Sequence, residues 1–317
     1  MTSVNALVVL THACNLDCVH CYDRSRRGAR PGVELLPRVE SMLGGFGDAR
    51  PYVVLISGGE PLTDPRWRQV VQSVKAHGYG VELFTNGFRG QQVVGAGVER
   101  VHTSLDGPPL VHNSLRRSST AFAGFESLMG ALRGSGTPCS VQVTVSRLNV
   151  AHLGETLDLL GGYEVVSEVS VEPMLVHSAA LGGLGFDLEA LRADRFLPQI
   201  VSFMERAHYR RRVRWNVVEG RELLSRDPAS LASELPVFFD LSMNDWAVLG
   251  LKALRHNGLE SFGGALLACD RAKVTGVLER AARVVAPGKL YSLEQIVWDG
   301  FCSPDWGSAV SRVGAPL

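Results

Sequence analysis

The sequence predicts an α/β protein that begins with a partial (β/α)6 parallel barrel and ends with a mainly helical extension. Six short, mostly apolar runs with strand character recur between residues 4 and 171. Segments with helical periodicity separate most of these runs, which is typical of β/α units in a parallel sheet. Beyond about residue 186, apolar residues recur mainly at helical spacing.

Each predicted strand ends in polar or glycine-containing residues. The first strand, residues 4–10, runs directly into a loop that contains cysteines, and the second, residues 52–57, runs into Gly58-Gly59-Glu60-Pro61. The remaining strands are predicted at residues 80–84, 100–105, 139–146 and 165–171. Because the carboxyl ends of parallel strands share one edge of a sheet, we expect these polar residues on a common functional rim.

Helical patterns lie between the predicted strands. Asp64 and Pro65 are residue types preferred at the N-cap and at the first helical position, so they predict a helix after the second strand. Other helices are predicted at residues 37–43, at 121–133 and after Asn149. A full eight-unit barrel needs two more strands, and the sequence offers one weak candidate at residues 213–218.

The C-terminal part predicts a different organisation. Its amphipathic segments are predicted helices at residues 188–206, 244–255, 266–283 and 293–298. We therefore expect two regions, with the barrel at residues 1–185 and a mainly helical region that covers the substrate side at residues 186–317.

Composition excludes several classes of partner. The chain has 32 Lys+Arg and 32 Asp+Glu residues, so its formal charge of zero predicts neither nucleic-acid binding nor attraction to an anionic membrane. No apolar run approaches the ~20 residues that span a bilayer, and the N-terminus lacks the pattern of a signal peptide. We expect a soluble, cytoplasmic protein that is long enough to bury a large core.

Cys14, Cys18 and Cys21 are half of the six cysteines in the chain, and they form a C-x3-C-x2-C pattern. Three thiolates from one loop match a cubane iron–sulfur cluster whose fourth iron stays open for a ligand. A zinc site with His12 or His20 as the fourth ligand, or a chance spacing, is the alternative. The sequence therefore predicts an iron–sulfur cluster directly after the first strand.

Further motifs follow the predicted strands in order. They are Tyr22 directly behind the third cysteine, Gly58-Gly59-Glu60-Pro61, Thr85-Asn86-Gly87, and Ser104-Leu105-Asp106-Gly107-Pro108 followed by His112 and Arg116. Together with the cysteine loop, they resemble the CxxxCxxC, GGE, TNG and SxDGP…H…R motifs of the radical SAM superfamily. The resemblance covers about residues 4–180 and implies a TIM-like partial barrel.

This resemblance implies two cofactors, a [4Fe–4S] cluster on Cys14, Cys18 and Cys21, and S-adenosylmethionine (SAM). It places Glu60 at the amino group of SAM and Arg116 near the SAM carboxylate. The residues that it implies in cofactor binding are Tyr22, Gly58, Gly59, Glu60, Asn86, Ser104 and Arg116. Ser104 is expected near the ribose, and Asn86 is expected to point into the barrel.

The resemblance also implies an activity. Reductive cleavage of SAM at the cluster would form a 5′-deoxyadenosyl radical that abstracts hydrogen from an unactivated C–H bond. A small molecule of specialised metabolism is the first expectation for the substrate. A ribosomally made peptide that is cross-linked or epimerised is the alternative, and a non-catalytic metal-binding protein is a third possibility. The implied redox partner is an electron donor such as flavodoxin or ferredoxin.

The other cysteines, Cys139, Cys269 and Cys302, are isolated in the sequence. We therefore expect one cluster, in a SPASM-like core without the cysteine-rich extension that holds auxiliary clusters. Cys139 is expected in the core, and Cys302 is either an ordinary loop residue or a donor of a hydrogen atom to a substrate radical. Candidate contacts to substrate or adenine beyond the sixth strand are Glu172, Met174 and His177.

Overall fold

The computed structural model describes residues 4–21, 34–45 and 51–173, and short segments between residues 213 and 316. The helices are α1 (Leu35–Gly45), α2 (Trp67–Ala76), α3 (Pro109–Arg116), α4 (Ala121–Ser135) and α5 (Leu153–Gly161). The first six strands are β1 (Val4–Thr11), β2 (Pro51–Gly58), β3 (Gly80–Phe84), β4 (Arg100–Ser104), β5 (Cys139–Val145) and β6 (Val166–Pro173). The later strands are β7 (Val213–Trp215), β8 (Val218–Glu219), β9 (Val237–Asp240), β10 (Asp245–Val248), β11 (Lys289–Tyr291) and β12 (Ala315–Pro316).

Strands β1 to β6 lie side by side in chain order, and each pairs in parallel with the next. Helices connect most of these strands, as expected where a parallel crossover has to return the chain to the same end of the sheet. The arrangement confirms the predicted α/β partial barrel. Among the described helices, none combines the length and the apolar character that a bilayer-spanning segment requires.

The C-terminal residues extend this sheet at both edges. β7 pairs in parallel with β6, so the weak strand candidate at residues 213–218 is confirmed over its first three residues. At the opposite edge β9 pairs in parallel with β1, and β10 pairs antiparallel with β9. The order of the nine-stranded sheet is therefore β10-β9-β1-β2-β3-β4-β5-β6-β7, and β12-β11-β8 form a second sheet.

The helix predicted at residues 244–255 is wrong where the structure describes it. Residues 245–248 form β10, in which Trp246 is the register partner of Phe239. Pairing with a neighbouring strand outweighs a helical pattern of apolar residues, because sheet formation depends on tertiary context. The predicted helix at 266–283 is helical at residues 275–276 and 278–280. The segments 188–206 and 293–298 lie outside the described residues, and the division at residue 185 stays a prediction.

The main sheet has two unlike faces. Alternate residues on one face are apolar and buried, among them Val81, Leu83 and Val141, and they share one core with apolar residues of α1, α2, α4 and α5. The opposite face carries half-buried polar side chains such as Glu82 and His102. Because helices surround the outside of a β/α barrel, the polar face is the inside of this partial barrel.

Candidate functional site

The cysteine loop, residues 11–21, begins where β1 ends. Cys18 is buried, and Cys14 and Cys21 are half-buried. Leu16, which lies between Cys14 and Cys18 in the sequence, has a buried side chain. Its backbone amide donates to Cys14 Sγ at 3.4 Å. The loop therefore presents three thiols from one short stretch of backbone.

The glycine pair after β2 lets the next loop lie directly against the cysteine loop. A Cβ atom on Gly58 would lie 2.2 Å from the Thr11 carbonyl oxygen, and one on Gly59 would lie 2.5 Å from that of Ala13. The Gly59 amide donates to Thr11 O at 2.7 Å, and the Glu60 amide donates to Ala13 O at 2.8 Å. Glycine is required here because any side chain would push the two backbones apart.

Glu60 is a buried carboxyl group that links β2 to the end of β3. Its Oε1 accepts hydrogen bonds from the Leu62 amide at 3.1 Å and the Thr85 hydroxyl at 2.9 Å, and its Oε2 accepts from the Asn86 amide at 2.6 Å. Burial raises the pKa of Glu60 to about 7, although these hydrogen bonds and the charge of Arg89 favour the ionised form. Glu60 is therefore partly protonated at neutral pH, and a cation placed beside it would favour its ionisation.

Asn86 connects the end of β3 to the cysteine loop. Its Nδ2 atom donates to Asn15 Oδ1 at 2.8 Å and lies 3.9 Å from Cys14 Sγ, within hydrogen-bond range for sulfur. Its Oδ1 atom accepts from the Phe88 amide at 3.2 Å, which fixes the orientation of the side chain. The cysteine loop is thus held from the β2–β3 side by Glu60 and Asn86.

Asp106 is a second buried carboxyl group, and it lies after β4. Its Oδ2 atom accepts from Arg116 Nε at 2.6 Å, and the nearest nitrogens of His20 and His112 lie 3.7 and 3.8 Å away. Burial alone would raise the pKa of Asp106, but the charges of Arg116, His20 and His112 and the Arg116 hydrogen bond lower it to about 2. In the described part of the chain, Asp106 Oδ1 has no hydrogen-bond partner.

His112 is neutral beside this carboxylate. Burial lowers the pKa of His112 to about 4, although the charge of Asp106 opposes the effect. The Asp106 amide donates to His112 Nδ1 at 3.1 Å, so this nitrogen is an acceptor and the ring proton lies on Nε2. His112 therefore shapes the loop after β4 and carries no charge at neutral pH.

The C-terminal end of α3 docks onto the cysteine loop. The Val19 amide donates to the Leu115 carbonyl at 2.8 Å, and Arg116 Nη1 lies 3.9 Å from Cys18 Sγ. Arg117, which ends the helix in the left-handed conformation at φ 52°, donates to Asp17 at 2.8 Å. These contacts hold the loop against α3.

The structure brings most of the sequence-predicted cofactor residues together around the cysteine loop. Gly58, Gly59, Glu60, Asn86 and Arg116 contact it directly or through one residue. The roles assigned to these residues in SAM binding stay predictions.

The remaining predicted residues fall into three groups. Ser104 lies half-buried at the carboxyl end of β4, where its register partner is Gln142. Cys139 is a buried core residue, as predicted, and burial raises the pKa of its thiol to about 12. Tyr22, Met174, His177, Cys269 and Cys302 lie outside the described residues.

A polar cluster on the inner face of the sheet is absent from the sequence-based interpretation. His102 Nε2 lies 2.5 Å from Glu82, and the His102 ring stacks on Phe84 with centroids 4.4 Å apart. Arg100 donates to Ser140 at 3.1 Å and to Ser167 at 2.6 Å. Alternation of polar and apolar residues along β3 and β4 is the signal that predicts such a face.

Gln142 extends the polar face toward β6. Its side-chain amide donates to Glu172, whose other carboxylate oxygen accepts from the Ser170 hydroxyl at 3.2 Å. Glu172, a predicted substrate contact, therefore lies on the same face as Ser104 and Gln142. This face can form hydrogen bonds with a polar molecule.

The donor set fits an iron–sulfur cluster. Three thiols come from one loop, and N–H groups of Leu16, Asn86 and Arg116 point at two of the sulfur atoms. Hydrogen bonds to cysteine sulfur are a common feature of such clusters. Within the described residues, no three His, Cys, Asp or Glu side chains have the geometry of a single-metal site.

Comparison with protein families and curated proteins agrees with this donor set. The Radical SAM superfamily model matches residues 8–160. The chain is 29% identical over 167 residues to AdoMet-dependent heme synthase of Methanosarcina barkeri, covering 50% of this chain and 48% of that protein. It is 33% identical over 161 residues to mycofactocin maturase MftC of Mycobacterium ulcerans, covering 49% and 43%. It is 28% identical over 162 residues to PqqA peptide cyclase of Streptomyces rochei, covering 48% and 43%.

The chain spans less than half the length of each of these curated relatives. Among solved structures, Streptococcus suis SuiB bound to precursor peptide SuiA has a TM-score of 0.62 at 14% identity, covering 82% of this chain and 62% of that chain. Native anSMEcpe with bound AdoMet has a TM-score of 0.52 at 16% identity, covering 69% and 66%. At these identities the likeness is one of fold.

Proposed function

Because the Radical SAM superfamily model matches residues 8–160 and the cysteine loop offers three thiols, we propose that the chain is a radical SAM enzyme that uses a [4Fe–4S] cluster and SAM and removes hydrogen from a polar substrate on the inner face of its sheet. The observation that carries the proposal is the position of the cysteine loop. The loop lies at the carboxyl end of β1, where Glu60, Asn86 and Arg116 converge on it. The polar face begins on strands β3 and β4 of the same sheet.

The cofactors would supply the hard chemistry, namely one-electron reduction of SAM and removal of hydrogen from the substrate. The chain supplies binding and orientation. Cys14, Cys18 and Cys21 would hold the cluster, and the buried residues Leu16 and Cys18 would limit access of water to it. Asn86 follows β3 and contacts the cysteine loop, and Ser104 lies at the carboxyl end of β4.

Glu60 is suited to hold a cationic amino group. A carboxylate offers about four acceptor positions, and the three donors from Leu62, Thr85 and Asn86 leave room for one more. An ammonium group would offset the cost of burying the ionised carboxylate. This supports the role of Glu60 at the amino group of SAM.

A small polar molecule of specialised metabolism is our first candidate for the substrate. Glu82, Arg100, His102 and Gln142 line the inner face with hydrogen-bonding groups, which suits a substrate with several polar positions. A relative whose name is heme synthase supports a non-peptide substrate.

A ribosomally made peptide is the second candidate. PqqA peptide cyclase is named for a peptide substrate, and SuiB, which has the same fold, is known in complex with its precursor peptide.

The cytoplasmic location and an electron donor of the flavodoxin or ferredoxin type also remain predictions.

Anaerobic reconstitution tests the cofactor chemistry. We expect about four irons per chain after treatment with iron and sulfide, and 5′-deoxyadenosine after addition of SAM and dithionite. Alanine at Cys14, Cys18 or Cys21 should abolish both, while Cys139→Ala, in the core, should retain both. Bound zinc without any cleavage of SAM would contradict the proposal.

Deuterium transfer separates the two substrate classes. The reconstituted enzyme is incubated with deuterated small-molecule extract of the source cells, or with deuterated peptides encoded beside its gene. Deuterium in 5′-deoxyadenosine identifies the pool that contains the substrate. Label from the peptide alone would replace our first candidate with the second.

A further inference from the structure

We propose that Arg116, held by Asp106, is a positioning residue that raises the reduction potential of the cluster through a hydrogen bond to the Cys18 thiolate. This inference rests on the proposed function, because it requires a cluster on Cys14, Cys18 and Cys21. It assigns Arg116 a role at the cluster, whereas the sequence resemblance places that residue at the SAM carboxylate.

The geometry of Arg116 leaves little freedom. Its Nε atom donates to Asp106 Oδ2 at 2.6 Å, and its Nη1 atom lies 3.9 Å from Cys18 Sγ. The guanidinium group is planar and rigid, so fixing Nε on one partner also fixes the direction of Nη1. The exposed fraction of the side chain is 12% for Arg116 and 0% for Asp106, so both charges lie away from solvent.

Asp106 is itself fixed on several sides. Its amide donates to His112 Nδ1 at 3.1 Å, and its carbonyl accepts from Asn149 Nδ2 at 2.7 Å. Asn149 in turn accepts from the Ser146 amide at 2.6 Å, which ties the loop after β4 to the loop after β5. The carboxylate that aims Arg116 is therefore anchored by the ends of two neighbouring strands.

The donors described at Cys14 and at Cys18 differ in charge. Cys14 receives neutral donors, the amide of Leu16 at 3.4 Å and Asn86 Nδ2 at 3.9 Å. Cys18 receives a cationic donor from Arg116. Hydrogen bonds that involve an ionised partner are about twice as strong as neutral ones, so the bond to Cys18 should have the larger effect.

The direction of the effect follows from charge. Reduction adds an electron to the cluster, and the extra negative charge spreads onto its cysteine sulfurs. A nearby cation and a hydrogen bond to sulfur stabilise the reduced form more than the oxidised form, and burial strengthens both interactions. Arg116 should therefore make the cluster easier to reduce.

Three variants test the proposal. Arg116→Lys keeps a cation for Asp106, so the protein should fold, but an ammonium group bound to the carboxylate lacks the second N–H arm that reaches Cys18. The double variant Asp106→Asn with Arg116→Gln removes both charges together and leaves neither one buried alone. Arg117→Gln is the matched control, because this adjacent arginine binds Asp17 of the same loop and not a cysteine.

The measurement is a redox titration of the reconstituted cluster followed by electron paramagnetic resonance, with iron content and SAM affinity measured on the same samples. For the double variant we expect wild-type iron content and a fall in potential equal to at least a tenfold change in the reduction equilibrium, about 59 mV for one electron. Arg116→Lys should fall between this variant and wild type. Arg117→Gln should keep the wild-type potential.

Unchanged reduction potentials in both Arg116 variants, with iron retained, would overturn the proposal. If those samples also bind SAM more weakly, the result would support the role of Arg116 at the SAM carboxylate instead. If the double variant does not fold, Arg116→Lys alone decides between these results. A wild-type protein that forms no redox-active cluster would instead refute the proposed function, and this inference with it.

Discussion

Glu60 and Asp106 both contact the cysteine loop, and the pKa values of their carboxyl groups shift in opposite directions. Both residues are almost fully buried, at 2% and 1% exposure. Glu60 is held mainly by neutral donors and its pKa rises to about 7, whereas Asp106 is paired with Arg116 and its pKa falls to about 2. The comparison teaches that the partner of a buried carboxyl group decides its charge, because the desolvation cost is common to both.

Breaking the ion pair between Arg116 and Asp106 should cause the largest loss in the free energy of unfolding. Arg116→Ala leaves the Asp106 carboxylate buried without its main counter-charge, and removal of one partner of a buried pair costs about 3–5 kcal/mol. We expect a loss of this size in the free energy of unfolding, measured by denaturant titration of the apoprotein. Arg117→Ala, at the exposed pair with Asp17, should cost less than about 1 kcal/mol. Equal losses in the two variants would show that the buried pair of Arg116 and Asp106 stabilises the fold no more than the exposed pair of Arg117 and Asp17.

The pH dependence of stability should have opposite signs at the two carboxyl groups. Folded protein keeps the Glu60 proton up to about pH 7, whereas the unfolded chain loses it near pH 4.5. The folded state therefore binds more protons in this window, and the free energy of unfolding falls as pH rises from 4.5 to 7, by at most about 3 kcal/mol. Glu60→Gln should remove this fall in denaturant titrations across the window. A variant with the wild-type slope would contradict the raised pKa of Glu60.

The contribution of Asp106 to stability changes at lower pH than that of Glu60. Its folded pKa of about 2 lies below the ordinary value of 3.8, so its contribution to stability is present above pH 3.8. That contribution, about 2 kcal/mol, is lost as the pH falls from 3.8 to 2. The double variant Asp106→Asn with Arg116→Gln should lose less stability than wild type over this range, as followed by circular dichroism. Identical acid transitions would place the low-pH sensitivity elsewhere.

The loop that carries Glu60 also has to approach the backbone of the cysteine loop closely. Gly59→Ala would place a Cβ atom 2.5 Å from Ala13 O, so we expect a loss of about 1–3 kcal/mol and poorer iron retention. Gly134→Ala is the matched control, because nothing lies within 4 Å of its Cβ position on α4. Thermal unfolding and iron analysis of both variants check this difference. Full iron retention in Gly59→Ala would show that the two loops can separate without loss of the site.

Binding of SAM should change the protonation of Glu60 by less than one proton per chain. If the amino group of SAM binds Glu60, the carboxyl group ionises and releases its remaining proton near pH 7. Calorimetric titration of SAM in buffers of different ionisation enthalpy measures this release. It should disappear in Glu60→Gln, and an unchanged release would place the proton on another group.

The parallel order of β1 to β6 and the site at the carboxyl end of β1 are predictable from local patterns. Apolar runs, breaker residues and cysteine spacing each act over a few residues, so they are visible in the sequence. The glycine pair at Gly58 and Gly59 is visible too, but its reason, the close approach of Thr11 and Ala13, appears only in the structure. The helix predicted at residues 244–255 is wrong at β10, because that strand is stabilised by pairing with β9.

The sequence by itself determined the parallel α/β core, the three thiols on one loop and the motifs that surround them. Only the tertiary structure decided that Arg116 joins Asp106 to Cys18, that Glu82 contacts His102, and that β9 pairs with β1. The physical reason is distance along the chain. A local pattern specifies which side chain a residue offers, whereas the charge and partner of a buried group depend on residues brought together by folding.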